Sequence, residues 1–143
     1  MAIKAINLGT LKSITFPEDT DDPTVWEIGA IDSRVLGHLR DKATDLKINP
    51  DDPEAGADIS LGMNEFHFQV AQFGLKGFSN FQGEDIKGKS KDVMFSTQRK
   101  TVGKVQYDVC DDAVMAMVPG NVLQFLANEV LKINNLGEDE GKG

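Results

Sequence analysis

The chain has 143 residues, of which 40% are hydrophobic and 27% charged, a composition typical of one folded domain rather than of a disordered segment. Its formal net charge of −8 opposes binding to a phosphate backbone, which needs clustered lysine and arginine. The single cysteine, Cys110, excludes an internal disulfide, and no apolar run approaches the length of a membrane span. We therefore expect a protein that binds neither nucleic acid nor membrane.

Short strands are predicted in the first part of the chain. Apolar residues recur there in three β-type runs, at residues 3–8, 11–16 and 24–28. Pro17 ends the second run, and residues 17–23 follow as an acidic loop with a proline at each end. In the third run the alternation predicts that Val25 faces away from Trp26 and Ile28.

Apolar residues at helical spacing predict three helices, from Asp32 or Ser33 to about Leu46, over residues 61–75, and from Pro119 to about Ile133. The second of these also alternates at Phe66, Phe68 and Val70, so a strand at its front stays open. Between the first two helices, prolines and acidic residues predict an internal loop over about residues 47–60. Residues 76–85 are predicted to form a compact loop with two aromatic residues.

The last third is predicted to hold a hairpin before the final helix. Its strands are predicted at residues 93–97 and 104–109, with a turn near Gly103, and residues 113–118 fit either a strand or a short helix.

We expect a single α+β domain over residues 1–136, followed by a flexible acidic tail over residues 137–143. The expected fold is a small antiparallel sheet packed with two or three helices, with long acidic loops and an extended C-terminal tail.

A search for chemistry yields no catalytic, cofactor-binding or metal-binding residues. Neither His38 nor His67 has a second histidine or cysteine at ligand spacing, so no zinc site is predicted. A calcium loop starting at Asp51 would need oxygen ligands where Pro53 and Ala55 stand. No serine lies in a nucleophile elbow, and no glycine-rich phosphate loop is present. We predict that the protein is not an enzyme, needs no cofactor and takes no small-molecule substrate.

Six residues are candidate contacts with a partner protein. The aromatic side chains Trp26, Phe78 and Phe81 fit the role of interface anchors, although Phe78 and Phe81 fit a role in the core of their own chain better. Three carboxylates of the acidic loop fit a neighbour with a basic surface, namely Asp19, Asp21 and Asp22.

Four sequence features occur in order along the chain. Residues 22–28 read Asp-Pro-Thr-Val-Trp-Glu-Ile, and residues 70–81 end in Gly-Phe-Ser-Asn-Phe. Residues 113–119 lead into the apolar segment 123–130, and residues 134–140 read Asn-Asn-Leu-Gly-Glu-Asp-Glu. This order resembles small proteins encoded in the structural gene clusters of tailed bacteriophages, both virion structural proteins and tail-assembly-chaperone-like proteins.

The resemblance implies a structural protein of the tail, neck or capsid, present in several copies. Its partners would be other phage structural proteins and copies of itself, and it would be made in the cytoplasm of the bacterial host before entering the virion. One alternative is a tail assembly chaperone that is absent from the mature virion. A second alternative, unconnected to phage, is a small ligand-binding or calcium-binding module.

Overall fold

The computed structural model describes residue 3 and residues 5–44, 55–84 and 86–135. The strands within these ranges are β1 (Leu11–Thr15), β2 (Val25–Gly29), β3 (Leu75–Ser79), β4 (Gln82–Glu84), β5 (Ser90–Asp92), β6 (Thr97–Val102) and β7 (Val105–Cys110). The helices are α1 (Ser33–Thr44), α2 (Ala55–Gly74), α3 (Asp112–Met115) and α4 (Gly120–Asn134). The predicted α+β fold is confirmed, with three small antiparallel sheets instead of one.

The largest sheet has the strand order β1-β2-β3 and is antiparallel throughout. Ile14 of β1 lies opposite Trp26 of β2, and Trp26 lies opposite Phe78 of β3. Trp26 and Ile28 are buried while Val25 is half-buried, as the alternation predicts. This sheet therefore has one face toward the core and one face toward solvent.

Helix α2 is the centre of the core and packs against α1, α4 and β7. Its stripe of Phe66, Val70 and Phe73 is buried, which confirms a helix rather than a strand at its front. Helix α1 begins after Asp32, whose side chain accepts a hydrogen bond from the backbone N–H of Arg34. The buried hydrophobic core also includes residues from the sheets and the other helices, among them Ile28, Val35, Leu75, Val109, Met115, Leu126 and Val130.

Three predictions within residues 3–85 are wrong. Residues 5–8 form no strand, and Leu8 is exposed, because no other strand in the described residues pairs with this run. The predicted loop over residues 76–85 contains β3 and β4, since pairing with β2 overrides the weak strand propensity of its glycines. Residues 55–60, predicted as loop, are the start of α2, because proline is common just before a helix as well as in loops.

The hairpin near Gly103 is confirmed, but its first strand is β6 rather than residues 93–97. Val93 and Phe95 are half-buried and Met94 is exposed, so the segment alternates without belonging to a sheet. Residues 113–118 are partly helical, in α3, and not a strand. The predictions for residues 47–54 and for the 137–143 tail lie outside the described residues, as does the far end of the first predicted helix.

Candidate functional site

The three aromatic candidates lie together. The Trp26 ring is 5.7 Å from the Phe78 ring and 5.0 Å from the Phe81 ring, and these two phenyl rings are 5.2 Å apart. The geometries are edge-to-face or tilted, which aromatic pairs favour. Trp26 is only 2% exposed, whereas Phe78 and Phe81 are half-buried. Contact of Trp26 with a partner would require these rings to move, and the contact role of all three stays a prediction.

The Trp26 indole also carries a buried polar atom without a partner. Its Nε1–H has no hydrogen-bond acceptor among the described residues. A buried donor left unpaired is unfavourable, and the edge-to-face and tilted ring contacts of the indole offset part of that cost.

The acidic candidates lie beside the aromatic ones because of Asn80. The Asn80 Nδ2 group donates to the carbonyl of Asp22 at 2.7 Å, and the Thr24 hydroxyl donates to the carbonyl of Asn80 at 2.8 Å. Asp22 and Asn80 both have positive φ angles, of 51° and 60°, which asparagine and aspartate tolerate better than other residues. Asp19 accepts from the backbone N–H of Thr24 at 2.9 Å, whereas Asp21 is exposed.

A polar network joins α2 to the β6–β7 hairpin and to α3. We define it as Gln72, Gln98, Lys100 and Asp112. Gln72 is fully buried, and its Nε2 group donates to the Cys110 carbonyl at 2.8 Å and to Asp112 Oδ1 at 2.6 Å. Lys100 Nζ donates to Gln72 Oε1 at 2.5 Å, and Gln98 Nε2 donates to Asp112 Oδ2 at 3.0 Å. These side chains bind one another and thereby fix the hairpin to the core.

Two titratable groups at this network, Asp112 and Cys110, have shifted pKa values. Hydrogen bonds from Gln98 and Gln72 lower the pKa of Asp112 and hold it as a carboxylate. Burial, followed by the charges of Asp111 and Asp112, raises the pKa of the Cys110 thiol to about 11. A thiolate nucleophile needs the opposite shift, so the Cys110 thiol is poorly suited to nucleophilic chemistry.

The first strand of the largest sheet has an accessible, unpaired edge. We call the outer side of β1, residues 11–15, the β1 edge. In the described part of the chain β1 pairs only with β2, so the backbone N–H and C=O groups on its other side face outward. Four of its five residues are exposed, and Leu11 is 53% exposed.

Two of the devices that protect edge strands, a proline and a β-bulge, are absent from β1, and a third, a charged side chain, is represented by a single lysine. The strand contains no proline, and its register with β2 runs from Leu11 to Thr15 without a bulge. Its one charged side chain, Lys12, lies 3.9 Å from the Glu129 carboxylate of α4, on the core-facing side of the sheet. By contrast, the pairing of β3 at the opposite edge is interrupted by a bulge between Glu27 and Ile28. The β1 edge is therefore suited to add a strand from another chain.

Sequence reasoning missed the β1 edge as a site. The strand itself is predictable, but whether a strand is at the edge depends on which other strands pair with it. One signal was present, since residues 1–17 contain two lysines and no acidic residue in a chain of net charge −8.

Comparison of the chain with protein-family models, with curated proteins and with solved structures finds no match in any of the three. Among the helices that the structure describes, none is long and apolar enough to cross a membrane. Over the same residues, no group of three or more His, Cys, Asp or Glu side chains is placed to hold a metal ion.

Proposed function

We propose that this protein is a non-enzymatic structural subunit of a tailed-bacteriophage particle and that it acts through protein–protein contacts. The observation that carries the contact role is the unpaired β1 edge, with outward backbone groups and an exposed Leu11. The link to a phage particle is supported by the resemblance of the four sequence features described above.

The internal use of polar side chains supports a non-enzymatic role. Gln72, Lys100 and Asp112 bind one another, and Asp19 and Asn80 bind backbone groups of neighbouring turns. Side chains committed to such bonds stabilise the fold instead of meeting a substrate.

The charge of the chain supports docking on a basic neighbour. Glu18, Asp21 and Asp22 are exposed in the turn that follows β1, so they lie next to one end of the β1 edge. A strand added at this edge would supply backbone hydrogen bonds. The exposed carboxylates at its end would favour a partner segment that carries basic and no acidic side chains, and would set its orientation.

Copy counting by mass spectrometry on purified particles tests this function. A fixed number of copies in each particle is the expected result. Absence from particles, with abundance in the infected cytoplasm, would contradict a structural role and favour the tail assembly chaperone. Thermal stabilisation of the purified protein by Ca²⁺, together with absence from both particles and assembly intermediates, would favour the binding module.

A further inference from the structure

We propose that the β1 edge pairs with the β1 edge of a second copy of this chain, antiparallel about a two-fold axis at Ser13. The inference rests on the proposed function, because it names the partner of the same edge. The joined sheet would have six strands in the order β3-β2-β1-β1-β2-β3, and the outward backbone groups of both β1 strands would be bonded.

The side chains of β1 favour an axis at Ser13. In that register Lys12 lies opposite Ile14 of the second copy, and Leu11 lies opposite its Thr15, so no charge faces a like charge. An axis at Lys12 would place two ammonium groups opposite each other. An axis at Ile14 would place Leu11 opposite Pro17, which has no N–H group to donate.

The charges that flank β1 favour the antiparallel orientation. The turn after β1 carries four acidic residues within residues 17–22, whereas the segment before β1, residues 1–10, carries one lysine and no acidic residue. An antiparallel pair places the acidic turn of each copy beside the acid-free segment of the other. A parallel pair would place one acidic turn beside the other, and repulsion would oppose it.

The second copy is also suited to cover exposed apolar surface. Leu8 and Leu11 are each 53% exposed and lie on the approach to β1 and at its first position. Residues 1–17 carry two lysines and no acidic residue, so two copies of a protein with net charge −8 can meet here with little local repulsion.

The substitution Ser13→Lys separates dimer formation from folding. Ser13 is exposed and pairs with Glu27 of β2, so a lysine there gains an attractive neighbour within its own chain. Across the two-fold axis, the same lysine would face its symmetry copy. Ser79→Lys is the matched control, since Ser79 is an exposed residue of β3 at the opposite edge of the same sheet.

Light scattering across a concentration series measures the mass of each variant. We expect twice the 15.6 kDa chain mass for wild type and for Ser79→Lys, and a dimer dissociation constant raised about tenfold or more for Ser13→Lys. A wild-type protein that is monomeric over the whole series would overturn the inference. Equal weakening by Ser13→Lys and Ser79→Lys would also overturn it.

Disulfide trapping tests the register independently. In Ser13→Cys the new thiols would meet at the two-fold axis, and the native Cys110 is buried and cannot compete. With oxidised glutathione we expect a covalent dimer of Ser13→Cys and none of Ser79→Cys. Failure of Ser13→Cys to crosslink, in a protein that dimerises, would mean that the dimer uses another surface.

The two proposals fail in different ways. If the purified protein is monomeric, and particles incorporate the wild type but not the Ser13→Lys variant, the β1 edge binds a different protein. The structural role then stands and the self-pairing fails. If Ser13→Cys is trapped as a dimer but particles never contain the protein, the pairing stands and the virion role fails.

Discussion

The carboxamide of Asn134 binds both backbone groups of Ile31, which lies 103 positions earlier in the chain. Its Oδ1 atom accepts from the Ile31 N–H at 2.8 Å, and its Nδ2 group donates to the Ile31 carbonyl. The side chain of Asn134 thus makes the two backbone hydrogen bonds that a neighbouring strand would make. These bonds fix the end of α4 to the connection between β2 and α1. Ile31 and Asn134 are both buried, so no water replaces these bonds if they are lost.

Replacement of this asparagine should therefore destabilise the fold. For Asn134→Ala we expect a loss of about 2–4 kcal/mol in the free energy of unfolding, because two buried backbone groups lose their partners. Urea denaturation measures the change. The control Asn135→Ala removes an exposed amide one residue later and should change stability by less than about 0.5 kcal/mol. Similar values for the two variants would contradict the role assigned to Asn134.

Two helical glycines should respond in opposite ways to substitution by alanine, because Gly74 lies against α4 and Gly37 has open space around it. A Cβ atom at Gly74 would lie 2.7 Å from Val130 Cγ1 and nearer still to Cγ2, so Gly74→Ala should cost about 1–3 kcal/mol. Gly37 lies inside α1 with nothing within 4 Å of its Cβ position, so Gly37→Ala should stabilise by about 0.5–1 kcal/mol.

A double-mutant cycle identifies the cause of the Gly74 effect. Val130→Ala removes the methyl groups that an alanine at position 74 would meet, so Gly74→Ala should cost about 1 kcal/mol less in that background. If the cost is unchanged, Val130 is not the obstacle. Urea denaturation of the four proteins gives the answer.

The Asp112 carboxylate should contribute to stability in a pH-dependent way. Its pKa in the folded chain lies below the ordinary value of 3.8, so its contribution is present at neutral pH and is lost as the pH falls through the folded pKa. Between about pH 5 and about pH 2, the wild type should lose more stability than Asp112→Asn, which has no proton to take up. Thermal melts across this range test the difference.

The control for this pH dependence is Asp21→Asn, which removes the same charge from the exposed turn after β1. Its melts over the same pH range show whether the loss of any one carboxylate, rather than of the carboxylate bound by Gln72 and Gln98, changes the pH dependence. Parallel curves for wild type and Asp112→Asn would mean that Gln72 and Gln98 do not stabilise the carboxylate.

The Cys110 thiol should be unreactive in the folded protein. Its side chain is buried and its pKa is raised to about 11, so little thiolate exists at pH 8 and the reagent cannot reach it. With a disulfide reagent, we expect labelling only after denaturation, whereas Ser13→Cys should label its new thiol at once. Rapid labelling of native wild-type protein would contradict the packing around β7.

Local periodicity predicted the helices because the residues that form one apolar helix face are only three or four positions apart in the sequence. Phe66, Val70 and Phe73 specify the buried face of α2 without knowledge of what covers it. Strand β6 was missed because its inward residues, Gln98 and Lys100, are polar. Their inward position is stabilised by hydrogen bonds to Asp112 and Gln72 and not by apolar contacts. A period-two hydrophobic pattern detects strands with an apolar face and misses strands whose inward residues are polar.

Features that depend on distant parts of the chain could not be predicted. The hydrogen bonds between Asn134 and Ile31 span 103 sequence positions. Those that join Asn80, beside the aromatic cluster, to Asp22 and Thr24 span more than fifty positions. The candidate residues Trp26, Phe78 and Phe81 were found by type, but their mutual packing depends on the register of β2 with β3. The β1 edge likewise exists only because no further described strand pairs with β1.

The most direct test of the structural role is the number of copies in purified particles assembled with wild-type, Ser13→Lys or Ser79→Lys protein. Quantitative mass spectrometry against the major capsid protein gives this number. We expect a fixed wild-type copy number, retained by Ser79→Lys and strongly reduced for Ser13→Lys, with equal amounts of folded protein in the three lysates. Absence of the wild-type protein from the particles would contradict a structural role, and full incorporation of Ser13→Lys would contradict contact through β1.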